Sequence, residues 1–239
     1  MTLLAVAASG AAAFTASVVS GVAGFGGAAL LLPVMVWALG ERASIPVLTV
    51  AVLMGNASRA WFYRKHLDWA VAGWFCLGAV PMAVLGSVVY VHMPGTAIRR
   101  AIGAFLVASV AYRRLRKPAA LPGPRWFAPV GAVSGFLAAI VGAVGPLAAP
   151  FFLHYGLIKE AYVGTEALGA AATHLTKTLA YGQLHVLGAR ELGLGVFYGT
   201  IMTAGSWVAK QVLERLPRER FLQLVEAMLV VVGLSMLRG

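Results

Sequence analysis

Asn56, Arg59 and Tyr63 stand at positions i, i+3 and i+7, and His174, Lys177 and Tyr181 repeat that spacing 118 residues later. On a helix the spacing puts each trio on one face. Both trios lie in apolar sequence, where a charged side chain costs a few kcal/mol or more and turns to a cavity or a partner. The chemistry these types support is the holding of an anion by charge and hydrogen bonds, with a histidine that titrates near neutrality. Lys177 is the deeper cation, with no other charge between Glu166 and Arg190. Arg59 stands five residues before Arg64, so the sequence is equally compatible with a side chain that snorkels to an interface. Glu166 precedes Lys177 by eleven residues, about three helical turns, and so points nearly the same way. It reads as a proton carrier or counter-ion, or else as an acid suited to a helix start. His174 shares that side; its alternative is a hydrogen-bonded structural role. No His/Cys/Asp cluster has metal-ligand spacing, and no cofactor is implied. There is no nucleophile–base pair, no Gly-x-Ser-x-Gly and no His-Glu-x-x-His, so an intramembrane enzyme ranks low.

The elements that must position these residues are set by hydropathy. Of 239 residues, 60% are hydrophobic and only 11% charged, and the mean hydropathy is +0.84. A soluble domain carries about a quarter charged residues. Apolar runs of about 20 residues, long enough to cross a bilayer, fill most of the chain. The sequence therefore predicts an all-α, multi-pass integral protein of the cell (inner or plasma) membrane, with the lipid bilayer as one partner. The net charge of +11 does not indicate nucleic acid, because the basic residues sit mostly in short loops, as the positive-inside rule expects. The single cysteine, Cys76, excludes a disulfide framework. The first basic residue is Arg42, so the N-terminal stretch lacks the charged region of a signal peptide and is expected to belong to the mature fold. Trp61, Trp69, Trp74 and Trp126 are expected as interfacial anchors, and Lys210 as a snorkelling side chain.

The first apolar block, Leu3–Leu39, would make a helix of about 55 Å, too long for one crossing of a roughly 30 Å core. The glycines from Gly21 to Gly27 predict a break. Apolar segments follow near Ser44–Tyr63, Trp69–Val91 and Ala97–Tyr112. A basic, proline-rich stretch, Arg113–Arg125, reads as a loop. The pattern then restarts, with a second broken block at Trp126–Leu157 and segments near Ala161–Leu187, Leu192–Val212 and Phe221–Leu237. The offset of 118 also places Gly24 on Gly142 and Gly27 on Gly145, while Pro33 and Pro150 fall one residue out of step. His92–Pro94 and Arg215–Pro217 each separate the last two segments of a half. The expected plan is two homologous repeats of four to five membrane segments, residues 1–116 and 126–239, joined by a basic loop at 117–125. The first segment of each is broken at its glycine-rich motif. The balance of basic residues favours inverted halves, since Lys159, Arg215, Arg218 and Arg220 then fall on the cytoplasmic side.

Irregular backbone at membrane depth survives only where protein buries it or a wet cavity borders it. A broken helix also presents free N–H groups and a positive dipole end, which suit an anion. Gly24, Gly26 and Gly27 with Gly142, Gly145 and Pro146 are thus candidates for two half-helix ends that meet around a substrate. Close helix packing through small residues is the alternative.

Gly-x-Gly-Gly followed by an apolar run and proline, with Gly-x-x-Gly-Pro in the second half, resembles the TauE/SafE sulfite-exporter family of membrane permeases. The chain has Ala28, Val144 and Pro146 where a closer match would have glycine. The resemblance implies export or uptake of sulfite, an organosulfonate or a related small anion. The expectation is a secondary transporter whose substrate contacts Gly24, Gly26, Gly27, Asn56, Arg59, Gly142, Gly145, Pro146, His174 and Lys177, with proton coupling through Glu166 or His174. A passive anion channel or uniporter, or a non-transporting accessory protein, is the alternative. Association into a homo-oligomer is left open.

Overall fold

The computed structural model describes residues 3–94, 96–97, 100, 122–142 and 144–224. The described residues are helical apart from turns and short connections, as an apolar chain must be where only intra-segment hydrogen bonds can satisfy the backbone. In order they form α1 (Leu3–Ala23), α2 (Gly27–Leu39), α3 (Glu41–Phe62), α4 (Trp69–His92), a short 3-10 turn (Pro124–Trp126), α5 (Phe127–Val141), α6 (Gly145–Tyr155), α7 (Lys159–Gln183) and α8 (Ala189–Arg215). Five of the described helices, α1, α3, α4, α5 (with its 3-10 turn) and α8, are long and apolar enough to cross a membrane. The segments expected near 97–112 and after 224 and the halves' junction at 116–117 lie outside the described residues, apart from residues 97 and 100.

Both broken blocks break where the glycines stand. Gly24 and Gly26 have φ of +81° and +94°, and Gly142 has +83°. This left-handed region is open to glycine and costly for other residues. Pro33 and Pro150 end nothing: they lie inside α2 and α6. α2 turns back on α1, since a Cβ on Gly27 would meet Ser20 and the Ala16 carbonyl. The expected stops after the fourth and eighth helices also hold. Met93 N–H donates to Tyr90 O, and Leu216 N–H donates to Leu213 O.

Small residues bring other helices into backbone contact. α4 packs on α5 so closely that a Cβ on Gly78 would strike the Ala128 carbonyl, and one on Gly135 the Ala79 carbonyl. α8 meets α1 at Gly205, beside the Phe14 carbonyl, where Ser17 donates to the Met202 carbonyl and shares a hydrogen bond with Ser206. α3 packs against both α7 and α8. Glycine therefore serves two ends: packing along α4, α5 and α8, and breakage at 24–26 and 142.

α7 has 25 residues, about 37 Å at 1.5 Å per residue, but is too polar to count among the membrane-capable helices. Its polar side chains face inward: Thr165, Glu166, Thr173, His174 and Lys177 are all buried. Asp68 caps α4 by accepting from Val71 N–H, and its own N–H donates to Thr165 Oγ1, tying the α3–α4 turn to α7. Trp61, Trp69, Trp74 and Trp126 are exposed, as anchors require. Lys210 pairs with Glu214 at 3.6 Å, one turn on, and lies over the Phe62 ring.

Candidate functional site

Each break ends a helix, and the last carbonyls of a helix lack intrahelical donors. In α1 the Ser20 carbonyl accepts from Gly24 N–H at 2.8 Å and from Arg59 Nη1 at 2.7 Å. In α5 the Ala138 carbonyl accepts from Gly142 N–H at 3.0 Å and from Lys177 Nζ at 2.8 Å. Both cations reach back 39 residues. A cation is favoured at the negative end of a helix dipole, so each buried charge is held without a carboxylate in ion-pair contact. Tyr181 adds a hydroxyl to the Ala139 carbonyl, and its ring lies 5.9 Å from Lys177 Nζ.

The two cations then part company. Arg59 is 4% exposed, so it does not snorkel. Its Nη2 donates to Asn56 Oδ1, while its Nε has no partner. It forms part of a cavity wall. Lys177 is wholly buried and is not on that wall. The cavity lies between the two breaks, and the space open to water centres is about 70 Å3. At about 10–15 Å3 per water, that holds a few waters or one small anion. Gly24, Gly26 and Gly27 line one side, Gly142 and Gly145 another, with Asn56, Arg59, Glu166 and His174 between them. Of the sequence candidates whose side chains are described, Lys177 stands outside this lining. The breaks touch, because a Cβ on Gly145 would come within 2.9 Å of Phe25 Cβ.

Two helices begin at this cavity. α2 has Gly26 as an N-cap without a side chain, and Leu30 N–H is the first amide bonded back, to Gly26 O. The amides of Gly27, Ala28 and Ala29 are therefore free of intrahelical acceptors, and all three residues line the cavity. α6 begins at Gly145, with no side-chain cap at Val144; Pro146 has no N–H to offer. Beside these ends, Glu166 Oε2 and His174 Nδ1 are buried without partners. Orphaned polar atoms of this kind are uncommon and call for an occupant or a functional reason. Glu166 is not at an exposed helix start; it lies two turns into α7, 9% exposed. Tyr162 escaped the sequence reading. Its ring packs where a Cβ on Gly24 would fall, and its hydroxyl is also unpartnered; its place one turn before Glu166 was the available signal. Among the described residues no group of His, Cys, Asp and Glu could hold a metal ion.

An all-helical membrane protein whose two broken helices meet at a small polar cavity has the build of a transporter. The chain belongs to the sulfite exporter TauE/SafE family, whose family model matches residues 9–236. It is a family of membrane transporters rather than of enzymes. No curated protein and no solved structure gives a significant match to the chain.

Proposed function

We propose that the protein is a secondary transporter of the cell membrane that moves a small oxidised-sulfur anion, sulfite or an organosulfonate, through the cavity between its two breaks. The observation that carries this reading is the convergence on one anion-sized space of the free amides of α2, the start of α6 and the unpartnered Nε of Arg59. A helix N-terminus favours negative charge. A guanidinium adds directed donors suited to an oxyanion. The family supports the substrate class. Asn56 and His174 complete the polar wall, and Lys177 contributes charge from behind the Ala138 carbonyl rather than direct contact.

The test is flux. Purified protein in liposomes, offered sulfite, methanesulfonate, sulfate, phosphate and chloride with and without a pH gradient, is expected to move an oxidised-sulfur anion at least about tenfold faster than protein-free vesicles. That margin corresponds to about 1.4 kcal/mol. Flux of none of them removes the reading. Fast, unselective chloride conductance replaces it with a channel.

The halves are proposed to be inverted repeats, a plan many secondary transporters share. The matched bonds of Arg59 to Ser20 and Lys177 to Ala138 support the repeat, and the balance of basic residues supports its inversion. In a Cys76-free background, cysteines placed at Arg64 and Arg218 should then react from the same side of the membrane. Reaction from opposite sides excludes inversion.

A further inference from the structure

Glu166 is an acid in a site built for an anion, and the reading above gives it no task. Its Oε2 is buried and unpartnered, and it lines the cavity without ion-pair contact to Arg59. The titratable groups around it are few. Arg59 faces it from α3, with Tyr63 at the end of that helix; Tyr162, His174 and Lys177 lie on α7 itself. α4 brings Phe75 and α8 brings Met202, and among the described residues α1, α2, α5 and α6 line the cavity only with serine, phenylalanine, glycine and aliphatic side chains.

Resting on the anion-site reading, we propose that Glu166 sets the charge of the cargo: the site balances one negative charge, and a doubly charged anion binds only together with a proton that Glu166 takes up. Arg59 and Lys177 as cations against Glu166 as a carboxylate, with His174 neutral, leave one positive charge in excess. A monoanion neutralises it. A dianion sets a second negative charge beside a buried carboxylate, and like charges at close range cannot both remain ionised cheaply. One proton on the carboxylate restores the balance. It comes from water that enters with the anion and returns to water on release, and no bond of the anion breaks. The protonated carboxyl also gains a hydrogen to donate to the anion's oxygen, where the carboxylate could only repel it. Monoanions would thus travel without a proton and dianions with one.

The experiment is calorimetric binding to the full-length protein in nanodiscs at constant ionic strength. Methanesulfonate, singly charged throughout, is compared with sulfate, doubly charged throughout, between about pH 6 and about pH 8. Sulfate affinity is expected to rise as pH falls, by up to about tenfold per pH unit for one proton taken up, while methanesulfonate affinity stays level. Glu166→Gln is expected to tighten sulfate binding at the alkaline end and to flatten its slope to less than about twofold over the range. The wild-type comparison stands by itself if that variant does not fold. A level sulfate curve, an equal slope for methanesulfonate, or a slope that survives in Glu166→Gln overturns the proposal, the last by moving the proton to His174 or Lys177. Failure of both anions to bind overturns the anion-site reading instead.

Discussion

Arg59→Gln should raise the apparent substrate constant by well over tenfold, and should do so far more than Lys177→Gln. Arg59 is the cation on the cavity wall, and its Nε is the donor left without a partner. Loss of one partner of a buried charge–anion contact costs about 2–5 kcal/mol, and each 1.4 kcal/mol is about tenfold in affinity. Arg59→Lys should recover part of the loss, since charge remains while the forked donor geometry goes. Arg59 also holds Ser20 and Asn56, so the variant must be compared at equal amounts of monodisperse protein. Lys177 spends its ammonium on Ala138 behind the wall. Its replacement should lower thermal stability while moving the substrate constant less. Initial-rate uptake in liposomes, read with melting temperature, separates the two. Equal substrate constants for Arg59→Gln and the wild type would place the anion elsewhere.

The second large effect is at the breaks. Gly24→Ala must hold a side chain at φ of +81° and push it into the Tyr162 ring. Gly145→Leu must fit a side chain against Phe25 where the two breaks touch. Left-handed strain costs about 1–3 kcal/mol, and overpacking costs a similar amount. Transport by either variant should fall more than about tenfold, with protein still inserted. Gly73→Ala is the control, as a Cβ there meets nothing within 4 Å and alanine suits a helix better than glycine. Transport lost only in proportion to folded protein would reduce these glycines to packing elements.

Much of this site is legible in the sequence, and the reason is local. A charged or amide residue at i and i+3 in apolar sequence must share a buried face, which brought Asn56, Arg59, His174 and Lys177 forward. A glycine run inside a block too long for one crossing must bend, and the breaks fell at Gly24, Gly26 and Gly142. What stayed hidden depends on how helices lie against one another. Arg59 and Lys177 have the same spacing and the same kind of carbonyl partner. The arginine reaches the cavity wall while the lysine stays behind it, on the Ala138 carbonyl of α5. The contact of Gly145 with Phe25, and of Tyr162 with the space above Gly24, joins residues more than a hundred positions apart. No periodicity carries that information.

The central claim is that a small oxyanion sits between the two breaks on Arg59. The measurement that reaches it most directly is anomalous diffraction from crystals soaked in selenite, whose selenium marks the place of sulfur. One peak is predicted in the cavity, within about 4 Å of Arg59 Nε and of the amides of Gly27–Ala29, a separation set by hydrogen-bond geometry plus one bond to selenium. A peak elsewhere, for example in the separate hollow beside Arg42 and Glu191, with the space between the breaks empty, would contradict the account.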